Sequence, residues 1–329
     1  MIGYDGTDVS TAILKTMNPT HLGHSKGHVL RNVIMLAETV FVFSALSGFS
    51  WWAFEAQNTL VLWIGIVLQG VWFQRVYCVG HEASHQKLFP NYSKTNDLIG
   101  QLFLWLLLVP LPIFRKIHRF HHGSNRKDEG TSALDVYIVP KGASWLRRLI
   151  PHILWFAGIG LGGWFFHSLI SILFFLFLPL KLAQKVSPAF KGWKRQDQLH
   201  SILAFALPIL AHVVMCRWMG LSLWLTLYGY PFVVFAFVYS AQLYVYHYRT
   251  TLGPQTLFHA RRLTGSKFIS WWLLNLNEHD THHQRPKVVW HQLPAAGRPL
   301  PSDFAHNQNV NTFTQGLFQQ LKGPTIVER

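Results

Sequence analysis

The segment TLVLWIGIVLQGVWFQRVYCVGHEASH, residues 59–85, decides the type of fold. Residues 59–80 are mostly apolar, and they match the roughly 20 residues that cross the hydrocarbon core of a bilayer. The segment then continues directly into HEASH, in which His81 and His85 are four residues apart. We therefore predict a membrane-spanning helix that extends past the bilayer and carries a histidine pair at its end.

Three further apolar runs, at residues 33–54, 201–216 and 221–246, are also candidate spans. Only 13% of the residues are charged, whereas a soluble domain carries about 25%. The first run contains Glu38, which is unfavourable in a bilayer unless it is paired or close to the interface. The sequence predicts an all-α membrane protein, a single domain over residues 1–329, with four transmembrane helices arranged as two hairpins.

Lysine and arginine residues indicate which side of the membrane each loop occupies. The loop at residues 55–58 has none, whereas many follow Gly80 and flank the other runs. Because basic residues accumulate on cytoplasmic loops, we predict a cytoplasmic cap from residues 81–148 and 247–329, after a polar N-terminal segment at 1–30. The net charge of +15 has the same explanation, so we predict no nucleic acid partner.

Two apolar stretches are not predicted to be simple transmembrane helices. Residues 102–114 are too few to cross and contain Pro110 and Pro112, which stop a continuous helix. A re-entrant or interfacial segment fits them better. Residues 149–180 have basic residues on both flanks and several glycines in the middle. We expect this stretch to lie in the membrane plane or to form a shallow hairpin.

The histidines follow a pattern that points to metal binding. HRFHH and HDTHH each repeat the spacing H-x-x-H-H, which places three imidazoles on one face of a helix. Imidazole is a common ligand of iron, zinc, copper and nickel. HEASH alone is weak evidence, because His24 and His28 show the same four-residue spacing. The eight imidazoles are too many for one ion, so we predict two metal ions bound by His81, His85, His118, His121, His122, His279, His282 and His283.

The sequence resembles the membrane fatty acid desaturase family. The resemblance covers most of residues 80–294 and rests on HEASHQKLF, HRFHH and NEHDTHHQRPKVVWHQLP. It implies four transmembrane helices, a cytoplasmic cap and a non-haem di-iron site that uses O2 and an external electron donor. The family usually has a further histidine after the fourth span, which His247 matches here. An interfacial His247 is the alternative, and His259 would then be the substitute ligand.

Residues near the histidine boxes are candidates for supporting roles. Carboxylates that could orient the imidazoles, or could equally be ordinary surface acids, are Glu82, Asp128, Glu129, Glu278 and Asp280. Asn275 could hold a water near the metals. Side chains on the face of His81 that could line a substrate tunnel, or simply pack between helices, are Gln74, Tyr77 and Cys78. We leave as non-ligands His21, His24, His28, His152, His167, His200, His212, His291 and His306.

From this resemblance we predict a desaturase that introduces a double bond into a lipid acyl chain, in a bacterial inner membrane or the endoplasmic reticulum. The alternatives are a hydroxylase or a ketolase on a fatty acid, sphingolipid or carotenoid and, more remotely, a histidine-rich metal transporter. No dinucleotide-binding, haem or iron–sulfur motif is present in the chain. We therefore expect electrons from an acidic ferredoxin or small cytochrome, which would dock on basic cap residues: Lys116, Arg119, Arg126 and Lys127.

Overall fold

The computed structural model describes residues 26–264 and 266–329. Most of the polar segment at 1–30, including His21 and His24, lies outside these residues. The α-helices are α1 (Lys26–Glu55), α2 (Thr59–Ser84), α3 (Ser93–Trp105), α4 (Leu111–Ser124), α5 (Trp145–Gly160), α6 (Gly163–Phe177), α7 (Leu180–Val186), α8 (Arg195–Met219), α9 (Leu221–Trp224), α10 (Tyr230–Leu243), α11 (Lys267–Trp272), α12 (His279–Gln284), α13 (Leu293–Ala296) and α14 (Phe313–Gln319). The strands are β1 (Val136–Val139) and β2 (Thr325–Glu328).

Shorter helical turns connect these elements. A π-helical turn at Leu225–Gly229 joins α9 to α10 without a break in the helical path. The 3₁₀ turns are Pro188–Phe190, Thr256–Phe258, Trp290–Gln292, Ser302–Asn307 and Gln320–Lys322.

The prediction of four helices of spanning length is confirmed within the described residues. Helices long and apolar enough to cross a membrane are Gly27–Glu55, Thr59–Ser84, Arg195–Met219 and Leu221–Leu243. The last of them ends three residues before the predicted boundary at Tyr246, because residues 244–249 form a series of turns. His247 therefore lies within these turns and outside the helix.

Helix α2 lies at the centre of the packing. It contacts α1 and α3, and it packs most closely against α10, where Gly70 lies against Pro231 and Val234. The polar exception in α1, Glu38, pairs with the buried Arg75 of α2 at 2.8 Å and accepts a hydrogen bond from the Trp271 indole at 2.9 Å. The centre of the molecule therefore holds the helix that ends in HEASH.

The two ambiguous stretches each form two helices. Residues 102–114 contain the end of α3 and the start of α4, with Pro110 as the N-cap and Pro112 in the first turn, where proline is favoured. Residues 149–180 contain most of α5 and α6, which meet at 92° as in a broken span or a re-entrant loop. Gly162 permits this bend because it has a φ of +73°.

The prediction of an all-α protein is wrong in one detail. The C-terminal strand β2 pairs in parallel with β1, from Val136 opposite Thr325 to Val139 opposite Glu328. Two bonds hold the chain before β2: Trp155 Nε1 donates to the Gln320 carbonyl at 2.9 Å, and the Tyr248 hydroxyl donates to the Gly323 carbonyl at 2.6 Å. The C-terminal tail is therefore part of the fold, which is mostly helical.

Candidate metal centre

The first histidine pair is supplied by the C-terminal end of α2. His81 lies in the last turn of the helix, and His85 is its C-cap residue. Arg115 at the start of α4 donates from Nε to the carbonyl of Ser84 at 2.9 Å, and it also pairs with Asp97 at 2.6 Å. These bonds fix the start of α4 against the end of α2.

Helix α4 carries HRFHH in its last two turns, as the spacing predicts. His118 faces the α2 pair, with its Nε2 2.8 Å from that of His85 and 3.1 Å from that of His122. His121, three residues after His118, contributes to a second group of imidazoles. The triplet therefore divides between two positions.

The third box forms the short helix α12. The His282 Nε2 lies 3.1 Å from that of His122 and so joins the α2 side. His279 and His283 lie with His121. Arg262 orients this helix, because its guanidinium donates to the Asp280 carboxylate at 3.1 and 2.9 Å.

His247 lies in the turns that follow α10. If its Nδ1 carries the proton, it donates to the carbonyl of His259 at 2.8 Å. That tautomer leaves a lone pair on Nε2, which is 3.0 Å from the Nε2 of His279. Metal-binding histidines typically bind the ion through one ring nitrogen and donate a hydrogen bond from the other.

Nine imidazoles thus meet in two compact groups. The first group is His81, His85, His118, His122 and His282, and the second is His121, His247, His279 and His283. Within each group the potential ligand atoms lie within 4.8 Å of one another. None of the other histidines in residues 26–264 and 266–329 belongs to either group.

The spacing of these nitrogens fits a metal ion. With metal–nitrogen bonds of about 2.1 Å, imidazoles at right angles place their nitrogens about 3.0 Å apart, and opposite ligands about 4.2 Å apart. The closest Nε2 pairs are separated by 2.8–3.1 Å. In addition, both ring nitrogens of His283 are buried with no hydrogen-bond partner among the described residues. A buried polar atom of this kind calls for a ligand.

The protonation of the groups also suits a metal. Burial, followed by the charge of neighbouring imidazoles, lowers the pKa of His282 and His283 well below the usual value for histidine. The same causes lower the pKa of His121 to about 4. At neutral pH the rings are uncharged and their lone pairs are available, which is the state that binds metal.

A comparison with known families agrees with this geometry. The family model for fatty acid desaturases matches residues 57–314, which contain all nine histidines. The chain belongs to the fatty acid desaturase family. The predicted resemblance is therefore confirmed, and the two groups fit the histidine boxes of a desaturase.

Individual relatives within the family differ in their activities. The chain is 24% identical to an endoplasmic reticulum omega-3 fatty acid desaturase of Vigna radiata var. radiata, over 90% of this chain and 76% of the relative. It is 29% identical to an oleoyl-12-hydroxylase of Ricinus communis, over 38% of this chain and 30% of that one. It is 30% identical to an sn-1 acyl-lipid omega-3 desaturase (ferredoxin) of Nostoc sp. (strain 36), over 35% of this chain and 29% of that one.

In this member of the desaturase family, the Glu82 carboxylate lies close enough to the His81 ring to orient it. Its carboxylate is 3.5 Å from the Nδ1 of His81 and 2.9 Å from the buried ammonium of Lys87. A third contact comes from the backbone N–H of Trp290, at 3.2 Å. Glu82 therefore links α2 to the loop that follows the third box.

The other predicted carboxylates have different roles. Glu278 and Asp280 both pair with Arg262, so they act on the position of α12 and not directly on an imidazole ring. Asp128 is a correction, since it accepts hydrogen bonds from Gly130 N–H and the Thr131 hydroxyl and so stabilises a turn. Glu129 pairs with Arg329 at 2.7 Å, near the strand pair.

An apolar cavity of about 380 Å³ opens next to the histidines. Gln74 and Tyr77 line it together with His81, His118, His121 and His279. Cys78 is a correction: it packs in a core with Met35 and Trp72 and is not among the residues that line the cavity. Asn275 is also a correction: it does not line this cavity, and its amide donates to the Trp290 carbonyl at 3.1 Å.

Several residues that support the site have no recognisable pattern in the sequence. Asn125 donates to the carbonyl of His259, beside His247, and Arg126 forms a buried pair with Asp135. The burial of Arg126, at 3% exposure, corrects its predicted role as a docking residue. A single polar residue such as Asn125 is not part of a recurring spacing. Its position beside the histidines is therefore visible only in the folded structure.

Proposed function

We propose that this chain is an oxygen-dependent di-iron desaturase that introduces a double bond into the acyl chain of a lipid. The observation that carries the proposal is the meeting of nine neutral imidazoles, in two groups, beside an apolar cavity that four of them line. Family membership makes iron the expected metal. One ion would be held by the group around His85 and the other by the group around His247.

The iron pair, when bound, would supply oxygen activation and the cleavage of an unactivated C–H bond. The chain's own residues would position the substrate and exclude water. Phe114, Phe165 and Ile172 line the cavity with apolar surface that suits a hydrocarbon chain. The uncharged imidazoles would hold the metal and would not serve as acids or bases.

We also propose the membrane arrangement predicted from the loop charges. The four long helices would form two hairpins, with the histidine-bearing cap on the cytoplasmic side of a bacterial inner membrane or the endoplasmic reticulum. Both histidine groups lie at or beyond the cap-side end of α2. An acyl chain would reach them from the bilayer and electrons would reach them from the cytoplasm.

The reaction needs a partner that donates electrons. Removing two hydrogens from the chain while reducing O2 to two water molecules consumes two electrons and two protons. The relative from Nostoc is named for ferredoxin, and an acidic ferredoxin or small cytochrome would be attracted to a basic cap. Arg119 and Lys127 are exposed and remain candidates for docking, with the partly buried Lys116.

The docking proposal is tested by the salt dependence of turnover. Neutralising Lys116, Arg119 and Lys127 together should weaken the effect of salt on turnover with an acidic carrier, because exposed charges are screened by ions. Unchanged salt dependence would contradict this docking site. Arg126 stays unmodified, because its buried pair with Asp135 supports the fold.

A hydroxylase is the second candidate, and the similarity to an oleoyl-12-hydroxylase favours it over a ketolase acting on a carotenoid or sphingolipid. The histidine groups are compatible with either outcome, since both begin with cleavage of a C–H bond. A metal transporter is disfavoured, because transport would need ligands along the spans and these groups lie at helix ends.

Product analysis separates the candidates. The chain would be produced in a host with simple lipids, supplied with iron and a ferredoxin, and the lipids would be analysed by mass spectrometry. A desaturase yields lipids that have lost two hydrogens, whereas a hydroxylase yields lipids that have gained one oxygen. A His122→Ala variant should give neither product, and His200→Ala, at an exposed position outside both groups, should behave as wild type.

A further inference from the structure

Three buried polar side chains interrupt the apolar lining of the cavity. They are Gln74 on α2, Gln242 near the end of α10, and Tyr246 in the turns that follow. Their exposures are 1%, 5% and 4%. In each, a polar atom lacks a hydrogen-bond partner among the described residues: Gln74 Oε1, Gln242 Oε1 and the Tyr246 hydroxyl.

Gln74 is buried on one wall of the cavity. Its Nε2 contacts the Cys78 sulfur at 3.8 Å, which is a weak interaction, and its carbonyl oxygen is left free. Gln74 precedes His81 by seven residues, so it lies about 10 Å deeper along the helix than the first histidine. A ligand that reaches the histidines from the bilayer would pass this side chain.

Tyr246 lies against one of the candidate metal ligands. The Tyr246 ring stacks on that of His279, with centroids 4.5 Å apart and an angle of 29° between the rings. This stacking fixes the ring, while its hydroxyl has no partner among the described residues. Among the other polar lining residues, Ser168 donates to the Trp164 carbonyl and His167 is exposed, whereas the Trp164 indole N–H also lacks a partner among the described residues.

A plain hydrocarbon ligand would leave these atoms without partners. A buried polar atom that makes no hydrogen bond costs about 1–3 kcal/mol. A site with such groups discriminates strongly against analogues that cannot bond to them. The amide oxygens of Gln74 and Gln242 accept hydrogen bonds, and the Tyr246 phenol can donate one. A hydroxyl group on the ligand can pair with either kind of atom, because it both donates and accepts.

We propose that Gln74, Gln242 and Tyr246 form a polar subsite that selects an acyl chain bearing a hydroxyl group along its length. The proposal rests on the proposed function only in taking the cavity as the site of the acyl chain. The hydroxyl could arrive with the substrate, or the enzyme could introduce it. In both cases the ligand is a hydroxylated chain.

Binding to the metal-free protein tests the subsite without depending on activity. The probes are octadecanoic acid and its monohydroxy derivatives, with the hydroxyl at different carbons, each competing against a fluorescent fatty acid in detergent micelles. At least one isomer should bind about tenfold or more tightly than octadecanoic acid, which corresponds to one hydrogen bond that the plain chain cannot make. The preferred position would mark where the hydroxyl meets the subsite.

Variants connect that preference to the named residues. Gln74→Leu and Gln242→Leu should reduce the preference about tenfold and keep, or improve, binding of octadecanoic acid, which also shows that the variants are folded. Gln196→Leu, at an exposed position of α8, should keep the full preference. The proposal is overturned if no isomer binds more tightly than octadecanoic acid, or if both glutamine variants keep the wild-type preference.

The products of the iron-loaded enzyme identify the source of the hydroxyl. A hydroxylated chain that loses two hydrogens shows that the group arrives with the substrate. A plain chain that gains one oxygen shows that the enzyme adds it. A protein that binds octadecanoic acid without isomer preference and still desaturates it refutes the subsite and leaves the desaturase proposal standing.

Discussion

At the scale of single residues, the two H-x-x-H-H triplets divide their histidines between the groups. His118 and His122 are about 40° apart around α4, whereas His121 lies on the other side of His118. This angular difference directs His121 towards His247 and His283, with ring centroids 5.0 Å away in both cases. One helical turn can therefore serve both positions.

Glu82 offers the clearest residue-level test of how the imidazoles are oriented. Glu82→Gln should lower metal affinity about 10–100-fold, as is usual for residues that support a ligand histidine. It would weaken the contact with His81 and leave the Lys87 charge buried without its carboxylate. The measurement is metal retained during dialysis against a graded series of chelator concentrations.

The matched control is Asp128→Asn, because Asp128 was an equally good candidate by sequence and its carboxylate stabilises a turn instead. Asp128→Asn should retain metal like the wild type. Equal metal loss in the two variants would contradict a specific role for Glu82.

The set of histidines that meet could be predicted from the sequence, because a recurring spacing has a fixed meaning on a helix, but the division of each triplet between the two groups could not. All nine predicted histidines lie in the two groups, and Gln74 and Tyr77 line the cavity. The surroundings of Cys78 and Asn275 depend on which neighbouring element packs against each side of their own element. Residue spacing does not contain that information. His247 came from family resemblance, since a single histidine has no pattern.

At the scale of elements, α2 and α10, which both contribute residues to the cavity lining, meet in a close contact at Gly70. A Cβ atom added at Gly70 would lie 2.4 Å from the Val234 Cβ and 2.6 Å from the Pro231 carbonyl oxygen. Both distances are shorter than real Cβ contacts, and one of the atoms is backbone. The helices can approach this closely only with glycine at this position.

Gly70→Ala should therefore destabilise the protein by about 1–3 kcal/mol, the usual range for overpacking. Gly48→Ala is the matched control, because it lies in α1 with nothing within 4 Å of the added Cβ. Alanine should be neutral or slightly stabilising there, since it is the better helix former. Thermal unfolding in detergent measures both, and equal melting temperatures would contradict the close contact.

A second element-level test concerns the segment between α4 and β1. Arg126 bonds Asp135 and the Tyr244 hydroxyl, which fixes this segment to the turns that carry His247. Arg126→Ala should lower the free energy of unfolding by about 3–5 kcal/mol, because it leaves a buried carboxylate unpaired. Lys127→Ala, at the exposed next residue, should change stability little, and a similar loss in both would argue against the buried pair.

The elements that the sequence missed depend on distant partners. Strand β2 is only four residues long and pairs with a strand almost two hundred residues earlier. No local pattern distinguishes such a strand from a tail. The long helices were predictable because an apolar run of spanning length is itself a local signal.

At the scale of the whole molecule, the fold brings together boxes that lie about two hundred residues apart in sequence. α2 ends at the first box, α4 packs against that end, and the turns after α10 bring His247 to the third box. The apolar cavity lies between these same elements and ends at the imidazoles. This arrangement would place a hydrocarbon chain beside the metals while the helices around it exclude water.

The most direct test of the central claim is the metal content of the purified protein, measured on the same sample as its product. The protein would be purified without chelators from iron-supplemented cells, and metals counted by mass spectrometry. We predict two iron ions per chain, about one after His283→Gln, and product formation that disappears when the iron is removed. Full turnover in protein that contains no transition metal would contradict the account.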